Sequence, residues 1–415
     1  KLLILTDHSG HSKENALYAL AKAMRRNPRC ERVDVASKGI PLNNLFFKNH
    51  LMKSLFVTKV EEDFSYHEDG YSLKKDLKKI YGRGVVDNKG QILIHILNVV
   101  ELLKNNNLKY NVKFFIEGNE ETGADLTKVV KQNKELLKSD FALISDGEVV
   151  GNNPCIEQTL RGNVNLTINL KTANTPLHSG IYGGALPSAS LEICTLLSKI
   201  KDSKSKILIK DFYKNAPKPT KQQIQNNKNI PFSEKELYKH TGIKQHFKVN
   251  NYDFYTNTGL LPNVEVTSIN SGYIGQGYAN IVVDKASAKL NIRVFGQSEK
   301  QIKTIFNNFV KTNVPNYVDY DIKYDDYVKE VYIDTSKDLY KSAESMLQQV
   351  YKKPVVYKNV GGTLPILDVF RTQLKCDLLL IPFANEDCNM HGVNENFNIS
   401  FIKKAFKFSS KFFSL

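Results

Sequence analysis

Residues 81–90 read Tyr-Gly-Arg-Gly-Val-Val-Asp-Asn-Lys-Gly, a glycine-punctuated turn that delivers one carboxylate, Asp87, to the head of a helical pattern. Behind it Ile92, Leu93, Ile96, Val99, Val100 and Leu103 recur at helical spacing, which holds Asp87 on a rigid element. Residues 111–116 read as a short buried strand ending in an acidic cluster, Glu117, Glu120 and Glu121. In open α/β sheets ligands gather at the carboxyl ends of the strands. Neighbouring glutamates in a partly dry cleft repel one another unless a cation or a proton compensates them, so a metal site accounts for the pair. A second apolar strand, Phe141-Ala-Leu-Ile-Ser-Asp146, delivers another carboxylate at its end, and His391 stands in Asn389-Met-His-Gly-Val-Asn-Glu395.

At 415 residues and 41% hydrophobic content the chain can bury the cores of two or three domains. Its net charge of +15 comes from lysines spread along the sequence rather than from a dense arginine cluster, which argues against nucleic-acid binding. Five cysteines, Cys30, Cys155, Cys194, Cys376 and Cys388, form an odd number without Cys-x-x-Cys spacing. That pattern predicts free thiols and a cytoplasmic protein. Cys388, near His391, reads as a bystander thiol. No apolar run is long enough for a membrane span.

Along the chain, residues 2–5, 13–24 and 32–36 predict a β-α-β beginning. Helix and strand then alternate as far as residue 155, as in an α/β domain. Residues 156–325 predict an inserted α+β domain, with strands at 164–170 and 287–294 and helices at 188–200 and 298–310. Residues 214–229, rich in Pro, Lys, Gln and Asn, predict an exposed loop. A helix at 336–351, strands at 354–357 and 377–382, and an amphipathic helix from about residue 400 return the chain to the first domain.

These motifs, in this order, resemble the M20 family of di-metal peptidases, particularly its dipeptidase branch. The similarity continues through Leu160-Arg-Gly162, Leu177-His-Ser-Gly-Ile-Tyr-Gly-Gly184, Asn291-Ile-Arg293 and Gly361-Gly-Thr363. It implies a catalytic α/β domain in two parts (81–155 and 326–415) and a lid and dimerisation domain (156–325). It also implies two divalent ions, zinc first with manganese or cobalt as alternatives, bridged by Asp87 and further held by Glu121, Asp146 and His391. Hydroxide held between such ions would attack the peptide carbonyl of a dipeptide or short peptide, with Glu120 as general base. His178 would reach into a second subunit's site to stabilise the oxyanion, which implies a homodimer. Arg293 would bind the free carboxylate, and Asn280, Gly362 and Thr363 would contact substrate. The peptide between Asp87 and Asn88 matches the family's cis bond. The plainer reading of Asp87 is a helix N-cap, against which its motif favours ligation, whereas Asp146 alone is as often a strand-end turn residue as a ligand.

Residues 1–80, with Leu2-Leu-Ile-Leu-Thr-Asp-His-Ser-Gly-His11 and Asp63-Phe-Ser-Tyr-His-Glu-Asp-Gly70, look like the N-terminal domain of glutathione synthetase-type ATP-grasp ligases. No nucleotide-binding core follows them. The family's His-x-Asp motif, source of the first metal histidine, has no match at its usual distance from Asp87, which leaves His67 and His8 as substitutes and predicts a weak or empty first metal site. An alternative reading is therefore an impaired fusion that keeps the peptidase fold. The missing region also supplies strands to the catalytic sheet, so the N-terminal segment must either replace them or leave an edge exposed.

Overall fold

The computed structural model describes residues 2–6, 74–75, 78–116, 126–325 and 327–415. The first part of the chain contributes β1 (Leu2–Thr6), helix α1 (Lys89–Lys104), β2 (Val112–Ile116), β3 (Phe141–Ile144) and β4 (Cys155–Leu160). It then crosses into β5 (Gly162–Lys171), α2 (Ala189–Ser198), α3 (Lys221–Lys228), α4 (Phe254–Leu260), β6 (Asn263–Ser271), β7 (Lys285–Val294), α5 (Glu299–Asn313) and β8 (Asp319–Tyr324). It returns as β9 (Val331–Tyr332), α6 (Asp338–Tyr351), β10 (Val356–Val360), β11 (Asp377–Leu380) and α7 (Ile399–Ser414).

The larger sheet has the order β9-β4-β11-β3-β1-β2, with β10 also paired to β4. β1 lies between β2 and β3 and is parallel to both, with Thr6 opposite Ile116 and Leu5 opposite Ile144. The N-terminal residues thus substitute for a strand of this sheet. The predicted helix at 13–24 and strand at 32–36 lie outside the described residues. The short strand Lys79–Tyr81 pairs antiparallel with Asn396–Asn398, so residues just before the Asp87 turn pair with the last part of the chain.

α1 is buried on most of its surface because α7 packs along it while its other side meets the sheet. Gly90 sits in its first turn, where a Cβ would come within 2.0 Å of the Val85 carbonyl oxygen, so the motif's last glycine allows the turn to close onto the helix. Phe401, Phe408, Phe412 and Phe413 of α7 fill the core, and Tyr110 stacks on Phe412.

The inserted domain is a four-stranded antiparallel sheet of order β8-β5-β7-β6. β5 alternates strictly, burying Val164, Leu166, Ile168 and Leu170. The same alternation in β7 buries Ala288, Leu290 and Ile292. Residues Ile302, Phe306 and Val310 of α5 join these in one apolar core, separate from the core of the larger sheet. The segment expected as a loop at 214–229 contains α3. Thr220 and Gln223 form a capping box at its start, supplying the donors and acceptors that its polar composition concealed, and Asn227 on this helix is buried.

Candidate active site

The turn carrying Asp87 is held from the far end of the chain. Glu395, almost fully buried, accepts hydrogen bonds from the backbone N–H groups of Gly84 (2.7 Å), Val86 (2.9 Å) and Asp87 (3.1 Å). Its fourth partner is the Arg83 guanidinium at 3.2 Å, and Arg83 also donates to the Gly392 carbonyl at 2.9 Å. One carboxylate and one guanidinium therefore tie the Asp87 turn to the loop bearing His391. The result is direct: His391 Nε2 lies 2.6 Å from Asp87 Oδ2. His391 adopts a left-handed backbone (φ 61°), flanked by Asn389 and Asn394 in the same region, a conformation sustained by the surrounding loop.

The Asp87–Asn88 peptide is cis. Asn88, rather than Asp87, occupies the N-cap position of α1, and it makes no side-chain cap. Its Nδ2 instead donates to the Ser145 carbonyl at 2.8 Å, linking the Asp87 turn to the strand end that delivers Asp146. Asp146 accepts from the Gly147 N–H at 2.7 Å. Close by, burial pushes Glu157 up to about 7, assisted by the negative charges of Asp146 and Glu148 and opposed by Lys358. The carboxyl end of the sheet is thus rich in negative charge.

His95 of α1 lies beneath this end, fully buried, with Nε2 2.9 Å from Ser145 Oγ and Nδ1 3.0 Å from Ser409 Oγ. Burial lowers its pKa to about 3. The unfolded chain therefore takes up a proton at His95 near its ordinary value of 6.5 while the folded chain does not. The associated stability is present above pH 6.5 and is lost as pH falls from there towards 3. His95→Gln is expected to flatten this stretch of a plot of unfolding free energy against pH. An unchanged slope would show that His95 is already charged in the folded protein.

A second cluster lies where the inserted domain meets the larger sheet. Arg293, at the end of β7, donates to Thr363 Oγ1 at 2.9 Å, and Thr363 Oγ1 donates to the Arg161 carbonyl at 2.6 Å. The Arg161 guanidinium donates to the Gly361 and Leu261 carbonyls. Burial, then the neighbouring Arg293, lowers Arg161 to about 10, and burial also lowers Arg293. Two adjacent guanidinium groups in a half-dry site favour an anion. Arg161 stood in the Leu160-Arg-Gly162 motif, but no role could be assigned to it before its proximity to Arg293 was visible. Gly362 forms the exposed middle of this turn.

His178 and Asn280 belong to the inserted domain and are neighbours there. Ser179 N–H donates to the Asn280 carbonyl, and His178, which is exposed, accepts from the Gly180 N–H with its Nδ1. Glu117, Glu120 and Glu121 lie outside the described residues, beyond the end of β2, as do His8 and His67 beyond and before the described strands. Among the described residues no group of three or more His, Cys, Asp or Glu side chains gathers as a metal cage; Asp87 and His391 meet, and Asp146, linked to them through Asn88 and the Ser145 carbonyl, does not complete a group of three. Cys388 is buried and donates to Glu148 Oε1 at 3.2 Å, and burial together with Glu148 raises its pKa, so it is an inert thiol.

The chain thus combines a two-domain α/β architecture with an aspartate–histidine pair and, apart from it, an arginine-lined turn. The chain belongs to the peptidase family M20/M25/M40, whose model matches residues 59–414. It is 28% identical over 353 residues to a Cys-Gly metallodipeptidase of Candida albicans, covering 82% of this chain and 71% of that protein. It is 25% identical over 362 residues to the Beta-Ala-His dipeptidase of Rattus norvegicus, covering 83% and 72%. Among solved structures, the di-peptidase Dug1p of Saccharomyces cerevisiae superposes with a TM-score of 0.75 at 21% identity, covering 100% of this chain and 79% of that one. Human carnosine dipeptidase 1 superposes with a TM-score of 0.71 at 24% identity, covering 84% and 76%.

Proposed function

We propose that this chain is a di-metal dipeptidase that hydrolyses short peptides bearing a free C-terminal carboxylate. The observation that carries the reading is the approach of His391 Nε2 to Asp87 Oδ2, a carboxylate and an imidazole clamped together by Glu395 and Arg83. Such a donor set fits zinc, and equally manganese or cobalt. Asp87, Glu121, Asp146 and His391 are the proposed ligands. Divalent ions bound there would polarise the scissile carbonyl and acidify a water.

Glu120 takes the proton from the attacking water and returns it to the leaving amine. Arg293, fixed by Thr363, grips the substrate carboxylate, with Gly362 and Asn280 as further contacts. The position of β1 bears on the missing histidine. Thr6 closes a strand between those that lead to Glu120 and Asp146, and His8 follows it by two residues in sequence, so His8 is favoured over His67. No ligase step is assigned to residues 1–80, since β1 is a strand of the peptidase sheet.

A homodimer is the proposed assembly. β6 is an edge strand with residues 265–270 all exposed, and Leu191, Ile269, Ile274 and Tyr278 add exposed apolar surface on the same domain. His178 would then serve the neighbouring copy's site. Cys155, Cys194, Cys376 and Cys388 are free thiols, which suits a reducing compartment such as the cytoplasm. Among the described residues no helix is long and apolar enough to cross a membrane.

Metal content per chain, measured on zinc- and manganese-loaded protein together with hydrolysis of a dipeptide panel, tests the reading. Two ions and turnover are expected, with His8→Ala reducing the content to one ion and His67→Ala leaving it at two. One ion or none without turnover would overturn the catalytic reading in favour of a retained fold that no longer hydrolyses peptides.

A further inference from the structure

Next to the turn that holds Arg293 runs a buried relay of polar side chains that joins β4 and β10 to α3 and α4, which pack on β10. Thr159 of β4 donates from Oγ1 to Asn359 Oδ1 of β10 at 2.9 Å. Asn359 Nδ2 donates to Asn227 Oδ1 of α3 at 3.0 Å, and Asn227 Nδ2 donates to Thr256 Oγ1 of α4 at 3.0 Å. Thr256 Oγ1 donates in turn to Asp253 Oδ2 at 2.6 Å. Thr159, Asn359, Asn227 and Thr256 are all buried. Asp253 can only accept when ionised, so every bond in the relay points the same way and each amide has one orientation.

The relay passes through an irregular point of the sheet. Lys358 pairs with Glu157 but Asn359 with Thr159, so Gln158 is an extra residue on β4, and a bulge of this kind re-aims the strand that carries it. β4 leaves the bulge through Leu160 to Arg161, whose carbonyl accepts from Thr363 Oγ1 at 2.6 Å. α4 is pressed against the same point: a Cβ on Gly259 would lie 2.3 Å from the Asn359 carbonyl oxygen. Just past α4, the Leu261 carbonyl accepts from Arg161. The relay and the arginine cluster therefore meet on neighbouring stretches of β4 and β10.

We propose that Asn359, locked by Asn227, is a positioning residue for substrate recognition. Through Thr159 it fixes the β4 bulge that aims the Arg161 carbonyl, that carbonyl holds Thr363, and Thr363 fixes Arg293 against the C-terminal carboxylate of the substrate. The proposal rests on the carboxylate-binding reading of Arg293 given above and adds what sets its geometry. A hydrophobic residue at 359 would leave the Thr159 hydroxyl and the Asn227 carbonyl oxygen without partners and free the bulge to shift.

The test is calorimetric binding of alanyl-glycine and of its C-terminal amide to zinc-loaded protein carrying Glu120→Ala, which keeps the probe from being consumed. The protein with Asn359 intact is expected to prefer the acid over the amide by about tenfold. Asn359→Leu is expected to shrink that ratio about fivefold, with zinc content and affinity for the amide unchanged. Asn227→Ser, which cuts the same relay from the helix side, provides the comparison if Asn359→Leu does not fold. An unchanged ratio, an equal loss for acid and amide, or no preference for the acid with Asn359 intact overturns the proposal. Preference for the acid by a protein that hydrolyses no dipeptide overturns the peptidase reading instead and leaves this one standing.

Discussion

Glu395→Ala is expected to lower the unfolding free energy by about 3–5 kcal/mol, the usual cost of removing one partner from a buried ion pair. The magnitude follows from what is left behind. Three backbone N–H groups, of Gly84, Val86 and Asp87, lose their acceptor, and the Arg83 guanidinium loses its carboxylate. An alanine cannot admit enough structure to replace them, because Val85 and Val86 are packed in the core on the other side of the turn. Molecules that still fold are expected to bind zinc about 10–100-fold more weakly, since the residue that orients the Asp87 turn and the His391 loop is gone. Glu395→Gln retains one carbonyl acceptor but turns an NH2 group towards N–H donors, so it should fall between the two. Denaturant titration of metal-free protein gives the first quantity, and competition with a chelator gives the second. A midpoint shift without any change in zinc affinity would show that Glu395 supports the fold and not the centre.

What the sequence disclosed and what it hid follow from range. The Asp87 turn, α1 and the alternation of β5 and β7 were legible because glycine placement and periodicity act over a few residues. Glu395 stood in the same quoted motif as His391, yet its role depends on a turn hundreds of residues earlier in the chain and has no local signature. The apolar run of β1 predicted a strand correctly, but its neighbours are fixed by parallel register with Val112 and Phe141, and parallel partners are never adjacent in sequence. Polar composition at 214–229 pointed outward, whereas Asn227 is buried because Asn359 and Thr256 meet its amide. A buried asparagine looks like a surface one until its partners are known. Arg161 illustrates the same limit: one arginine in a motif is uninformative, and two against one threonine form a site.

Glu120→Gln is expected to reduce kcat by about 10²–10⁴-fold while leaving two ions per chain, the range that a positioned general base contributes. The direction rests on a division of labour between neighbours. β2 ends at Ile116, level with the end of β1, and the glutamates that follow have consecutive positions and separate proposed tasks, Glu121 on a metal and Glu120 on the proton. Glutamine keeps the size and hydrogen-bonding reach of the side chain but cannot accept a proton at any working pH, so substrate binding through Arg293 should survive and the chemical step should fail. His391→Ala gives the contrast: it removes a proposed ligand and should lower zinc content and turnover together. Steady-state kinetics on a dipeptide, with metal content measured on the same samples, separates the two. If Glu120→Gln loses zinc as well, the residue is a ligand and the proton passes through another group. If it keeps both zinc and turnover, Glu120 is not the base, and the acidic Glu117 becomes the side chain to test.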